Sequence, residues 1–191
     1  DPHLRAETLE LLQSFQLRLR TTFLFITHGR DGALALGHRI GVLNHGRLEQ
    51  IGAPEELYRR PRTAFVASFL GKINWLHGEL RDHGGIRHLL VAGQSISTPS
   101  DHAGLAPGAV KVGVRPEEIR VGADGALPAR VTSRTFLGDS VIVQLALADG
   151  TFLLADQRAP VCDAAIGAEV RVGWPAAATH LFPPDDEEAS L

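Results

Sequence analysis

The fold of this chain is decided near its N-terminus by residues 21–71, TTFLFITHGRDGALALGHRIGVLNHGRLEQIGAPEELYRRPRTAFVASFLG. Its first seven residues are uncharged and rich in aromatic and β-branched side chains, which is typical of a strand buried on both faces of a parallel sheet. Periodicity and turn residues then predict a helix over 31–36, strands over 39–43 and 47–51, and helices over 54–60 and 63–70. Alternating strands and helices indicate an α/β fold.

Upstream of this stretch the sequence predicts one more helix. Asp1-Pro2 is a favourable helix start, because Asp can cap free backbone N–H groups and Pro tolerates the first helical position. Apolar residues then recur at helical spacing and form one mainly apolar face: Leu4, Leu11, Leu12, Phe15 and Leu19.

Downstream of Gly71 the helical periodicity ends and short alternating segments follow. Eight strands are predicted, over 75–81, 86–91, 109–115, 118–121, 129–136, 141–147, 151–156 and 169–174. Gly84-Gly85 and Asp149-Gly150 are typical hairpin turns. Regularly spaced short strands indicate a small barrel or sandwich. We therefore expect an α/β region over 1–71, a mostly-β OB-type barrel over 72–183, and an acidic, disordered tail over 184–191.

Composition excludes several classes of protein. The 191 residues carry a formal charge of −3, whereas a nucleic-acid-binding protein normally has a basic excess. The single cysteine, Cys162, excludes a disulfide framework, and no apolar run is long enough to span a bilayer. The chain contains no methionine, so we expect the native translation start to lie elsewhere than Asp1.

His28 is the main candidate for a catalytic or ligand-binding residue. It directly follows the predicted buried strand, and an α/β sheet presents the carboxyl ends of its strands to ligands. The residues alone leave an alternative open, in which His28 is a strand-end histidine bonded to a nearby carbonyl.

Residues 26–71 closely resemble the end of the nucleotide-binding domain of ABC-transporter ATPases of the importer type. The resemblance rests on Thr27-His28, the turn Asn44-His45-Gly46, and the G-x-P-x-E-L-Y-x-x-P pattern of residues 52–61. Asp1-Pro2-His3-Leu4-Arg5 is similar to the end of the D-loop. Further matches resemble the regulatory domain called TOBE, an OB-type barrel: Val114-Arg115-Pro116-Glu117, Phe136-Leu137-Gly138-Asp139, Val172-Gly173-Trp174 and His180-Leu181.

The resemblance implies specific roles. His28 would contact the γ-phosphate of ATP and orient the attacking water, and Asp1 would belong to a D-loop that reaches the partner's site. The complete subunit would bind ATP and Mg²⁺ and form a homodimer on the cytoplasmic face of the inner membrane. It would couple hydrolysis to solute uptake through permease subunits, and indirectly through a solute-binding protein. The TOBE domain would regulate this activity.

The sequence departs from the family pattern in informative ways. Gly29-Arg30 replace the usual acidic residue and Gln, and Ala53 replaces the usual Thr, which removes a capping oxygen. No G-x-x-x-x-G-K-[ST] run is present to hold phosphates, and the Walker B carboxylate would precede Asp1. We therefore predict that this chain alone binds no cofactor securely and has no measurable ATPase activity.

Other readings carry less weight. In the main alternative function, the OB-type barrel acts alone as a small-molecule or oxyanion-binding module, with a vestigial ATPase remnant before it. His83, His88 and His102 match no compact metal site, so no metal is predicted. Glu55-Glu56 and the arginines around Pro61 are expected to be solvated, and Trp75 and Trp174 to belong to the core.

Overall fold

The computed structural model describes residues 2–19, 21–83, 86–97, 104–122, 124–158 and 163–184, without the side chains of residues 2–7, 10, 17 and 86. Asp1, His102, Cys162 and residues 185–191 of the predicted tail lie outside the described residues. The chain divides into two compact units, the first ending at Gly71 and the second beginning at Lys72.

The first unit consists of four helices and one hairpin. Its elements are α1 (Pro2–Leu19), α2 (Arg30–Leu36), β1 (Ile40–Asn44), β2 (Arg47–Gly52), α3 (Pro54–Arg59) and α4 (Ala64–Leu70). The helices and strands predicted from residue 31 onward are confirmed to within one residue at each end. The strands β1 and β2 pair antiparallel around a turn in which His45 and Gly46 have positive φ.

The strand predicted over residues 21–27 is wrong in this structure. These residues are extended but unpaired, and Leu24 and Ile26 are 88% and 94% exposed. A strand requires a neighbour to satisfy its backbone N–H and C=O groups, and no described segment pairs with this one. The predicted parallel sheet is therefore absent from the described part of the chain.

A small apolar core holds the rest of the first unit together. Ile40 and Val42 of the hairpin are buried with Leu57 of α3 and with Val66 and Leu70 of α4. The backbone N–H of Val66 donates to the hydroxyl of Thr63 at 3.2 Å, which caps the start of α4. Helix α3 begins at Pro54 with no side-chain cap from Ala53, as the sequence predicts.

A buried amide fixes the loop between α3 and α4. Gln50, 5% exposed, donates from Nε2 to the carbonyl of Arg60 at 3.0 Å. Its Oε1 accepts the backbone N–H of Arg62 at 2.8 Å. The donor and the acceptor of the Gln50 amide are thus both satisfied by the loop that contains Pro61.

The second unit is mostly β, as predicted. Its strands are β3 (Asn74–His83), β4 (Ile86–Val91), β5 (Gln94–Ile96), β6 (Gly108–Val114), β7 (Arg120–Gly122), β8 (Leu127–Phe136), β9 (Ser140–Leu147), β10 (Phe152–Arg158), β11 (Glu169–Gly173) and β12 (His180–Phe182). They form two five-stranded antiparallel sheets, ordered β10-β9-β8-β11-β7 and β12-β6-β3-β4-β5. The eight predicted strands are confirmed to within two residues at each end, whereas β5 and β12 are not predicted from the sequence.

One core and one amide join the two sheets. The core contains Leu76, Leu80 and Val112 from one sheet, with Leu145 and Leu153 from the other. The side chain of Asn74 on β3 donates from Nδ2 to the carbonyl of Leu154 at 2.8 Å. Its Oδ1 accepts the N–H of Leu154 at 2.7 Å. The side chain of Asn74 therefore bonds to the backbone at the outer edge of β10, as a neighbouring strand would.

Introducing Leu24→Lys and Ile26→Lys together is expected to suppress self-association of the chain. An uncharged, unpaired segment of β-forming residues is a template for pairing between copies, and charge blocks that pairing. Sedimentation velocity over a range of concentrations would show the double variant remaining monomeric where the parent associates.

The matched control adds the same charge to exposed positions of β5, as Gln94→Lys with Ser95→Lys. It should associate like the parent. Equal suppression of association by both double variants would show that net charge, rather than residues 21–27, controls association.

Candidate functional site

His28 lies in an exposed loop immediately before α2. The backbone N–H of Gly29 donates to the hydroxyl of Thr27 at 2.9 Å, which closes a tight turn around His28. Gly29 is extended, with φ −92° and ψ 109°, and offers no side chain to cap α2. The departure from the family pattern at Gly29 thus leaves this helix start without a side-chain cap.

The chemistry available at this loop is that of an accessible imidazole. A neutral imidazole offers one N–H donor and one acceptor nitrogen, and the imidazolium offers two donors. The nearby Arg30 and Asp31 form an exposed ion pair, with Nε 3.3 Å from Oδ1. His28 can therefore donate a hydrogen bond to an anionic oxygen brought to this loop.

Two glutamines of α1 contact the helix that follows His28. Gln13 Nε2 donates to the carbonyl of Ala35 near the end of α2 at 2.7 Å. Gln16 Nε2 lies 3.2 Å from Nδ1 of His38, just beyond α2. Neither glutamine is predicted as a contact residue from the sequence, although their spacing of three places them on one face of a helix.

The apolar face predicted for α1 is largely exposed. Leu11, Phe15 and Leu19 are each more than 40% exposed, whereas Leu9 and Leu12 are half-buried. The hydrogen bonds from α1 to the α2 segment come from Gln13 and Gln16, so apolar periodicity alone does not identify the contact face.

The remaining predicted positions form no second site. Asp1, the weak D-loop candidate, lies outside the described residues. Glu55 pairs with Arg59 at 3.2 Å on the exposed surface, rather than with Glu56. His83 and His88 are exposed on the paired strands β3 and β4, and no group of His, Cys, Asp or Glu in the described residues could hold a metal ion.

The second unit carries an aromatic and cationic cluster on β3, β6 and β12. Trp75 packs edge-to-face on Phe182 at 5.7 Å between ring centroids, and Lys111 Nζ lies 4.6 Å above the Trp75 ring. Burial, together with the positive charge of Arg115, lowers the pKa of His180 to about 4, so its imidazole is neutral at neutral pH. Trp174 donates from Nε1 to the hydroxyl of Thr179 at 3.0 Å.

Comparison with known proteins decides the family. A family profile described as TOBE domain matches residues 112–182. The sn-glycerol-3-phosphate import ATP-binding protein UgpC of Chromobacterium violaceum is 38% identical over 95% of this chain and 50% of its own length. The sulfate/thiosulfate import ATP-binding protein CysA of Burkholderia mallei is 38% identical over 82% of this chain and 44% of its own length.

This chain belongs to the ATP-binding subunits of ABC importers.

The chain spans about half the length of the curated relatives it matches. A third relative, the spermidine/putrescine import ATP-binding protein PotA of Ruegeria pomeroyi, is 35% identical over 92% of the chain and 51% of its own length. The solved structure of the cytoplasmic molybdate-binding protein ModG has a TM-score of 0.49 and 19% identity, covering 58% of this chain and 96% of that protein.

The TOBE match lies entirely within the second unit of the chain, from β6 to the end of β12. Among the described residues, no helix is long and apolar enough to cross a membrane. The His28 loop belongs to the first unit, whereas the TOBE match belongs to the second.

Proposed function

We propose that this chain is the C-terminal part of an ATP-binding subunit that couples ATP hydrolysis to solute uptake by an ABC importer. The complete subunit would form a homodimer, bind ATP and Mg²⁺, and engage permease subunits at the cytoplasmic face of the membrane. His28 would donate a hydrogen bond to the γ-phosphate and help to orient water, while the TOBE domain regulates the dimer.

The observation that carries this proposal is the match to import ATP-binding relatives across most of the chain. The His28 loop supports it, because an accessible imidazole held at a helix start is suited to reach a phosphate oxygen. Phosphoryl transfer is catalysed almost entirely by positioning and by electrostatic stabilisation of the developing charge, and a donor to a phosphate oxygen contributes to the second.

The residues present fit one contact to ATP rather than a whole nucleotide site. His28 supplies a donor for a phosphate oxygen, whereas the sequence has no P-loop lysine or phosphate-binding glycine run. The described residues also contain no cluster of carboxylates suited to Mg²⁺. We therefore assign to this chain the γ-phosphate contact alone.

The purified chain is expected to release no phosphate from ATP above background in a colorimetric assay with Mg²⁺. One histidine supplies too few contacts to hold a triphosphate against its hydration. Turnover that survived repurification and disappeared in His28→Ala would contradict this expectation.

The proposed role in the complete subunit is tested in a chimaera. In it, this chain replaces the matching half of the Chromobacterium violaceum UgpC relative. ATP hydrolysis by the chimaera would support the proposal, provided that it depends on His28 as described in the Discussion. A folded, dimeric chimaera that hydrolyses ATP equally well without His28 would overturn the proposed role of this residue.

A further inference from the structure

Helix α1 meets α2 at three successive levels. Leu9 lies beside Gly32. Its Cδ2 atom is 4.0 Å from the position that a Cβ would occupy if residue 32 had a side chain. One turn further, Gln13 bonds to the carbonyl of Ala35, and beyond that Gln16 meets His38. Leu9, Gln13 and Gln16 recur at spacings of four and three, so they lie on one face of α1.

These contacts fix the relative direction of the two helices. Residue numbers increase together on both sides of the contact, from Leu9 with Gly32 to Gln16 with His38. The helices are therefore parallel over this region. His28 lies two residues before the start of α2. Because the two helices are parallel, its loop is at the same end of the helix pair as the N-terminal turns of α1.

Helix α2 depends on this contact for its placement. It has only seven residues, no side-chain cap at its start, and Leu36 as its one buried residue. A helix of this length is not stable by itself in water. Gln13 also satisfies one of the C-terminal carbonyls that a helix leaves without an internal partner.

We propose that Gln13 and Gln16 are positioning residues, which set the orientation of α2 on α1 and thereby the placement of the His28 loop. This inference rests on the proposed function of His28. In this proposal the two amides act through α2 rather than by binding ATP. Gln13 carries the larger share, because its bond is the shorter and reaches a carbonyl of α2 itself.

The donor at position 13 can be tested by two variants of similar length. Gln13→Lys keeps an N–H donor for the carbonyl of Ala35, whereas Gln13→Glu offers only acceptors near neutral pH. The measurement is NMR on the whole chain. It compares residual dipolar couplings of the Gly29 and Arg30 amides with those of α1, and it follows exchange of the Ala33 and Gly37 amides, which donate to the carbonyls of Gly29 and Ala33 at the two ends of α2.

Gln13→Glu and Gln16→Ala are expected to change the couplings of the residues beside His28. Each should also speed exchange of the α2 amides about fivefold, because each loses roughly one net hydrogen bond. Gln13→Lys should keep both at the parent values. Ser14→Ala is the control, because its hydroxyl bonds to Leu11 within α1, and it should change neither quantity.

Three outcomes would overturn the inference. The first is that Gln13→Glu leaves the couplings of Gly29 and Arg30 unchanged. Even if the free energy of unfolding fell, Gln13 would then stabilise the fold without placing the His28 loop. The second is equal changes in Gln13→Glu and Gln13→Lys, and the third is unchanged couplings in Gln16→Ala. Because the measurement needs no ATP, it is independent of the chimaera, whose failure would remove only the role proposed for His28.

Discussion

Replacing His28 by alanine in the chimaera is expected to lower the turnover number for ATP by about 10²- to 10³-fold, the usual effect of removing one preorganised donor to developing charge. The side chain is exposed, so the substitution leaves the fold intact. The affinity for ATP should change much less, because the hydrogen bond is proposed to strengthen in the transition state. Steady-state kinetics of ATP hydrolysis would separate the two effects.

The matched control is His45→Ala, which removes another exposed histidine, from the hairpin turn between β1 and β2. It should retain nearly all of the activity. His45 has a positive φ of 45°, so glycine is the better replacement if alanine lowers stability there. Equal losses of activity at the two positions would show that the effect is not specific to His28.

Replacing Asn74 by leucine is expected to destabilise the second unit by about 2–4 kcal/mol, because it leaves the N–H and C=O of Leu154 without a partner at a partly buried edge. Leucine has the same number and branching of side-chain heavy atoms as asparagine, so the loss reports mainly on the two hydrogen bonds. Urea unfolding followed by tryptophan fluorescence measures it, since the two tryptophans of the chain, Trp75 and Trp174, both lie in this unit.

The control for Asn74 is Gln94→Leu, which also exchanges an amide for leucine, at an exposed position of β5. Its unfolding free energy should stay within about 0.5 kcal/mol of the parent value. An Asn74→Leu chain that unfolded at the same urea concentration as the parent would show that the edge of β10 is satisfied in another way.

Much of the local structure could be predicted from the sequence. The hairpin around Asn44-His45-Gly46 and the helix starting at Pro54 depend on turn residues and on a fixed φ, which act over a few positions. The strands of the second unit follow from alternation of apolar and polar residues, because successive side chains point to opposite faces. His28 could be singled out because it follows an apolar segment and matches a family motif.

Features that require a partner elsewhere in the fold could not be predicted from the sequence. Residues 21–27 have the composition of a buried strand, yet a strand exists only when a neighbour accepts its hydrogen bonds. The apolar face of α1 was likewise predicted from spacing, whereas the contact with α2 uses Leu9, Gln13 and Gln16. Polar residues at a helix contact give no signal in an apolar pattern.

By itself, the sequence indicated most of the helices and strands from residue 31 onward, the membership of the importer family, and the choice of His28 as the candidate functional residue. These features depend on short-range chemistry and on motifs that are contiguous in the chain. Only the tertiary structure decided that Asn74 bonds to Leu154, 80 residues away, and that Gln13 holds the end of α2. The physical reason is that a hydrogen bond depends on distance and angle in space, and neither is encoded in the spacing of residues along the chain.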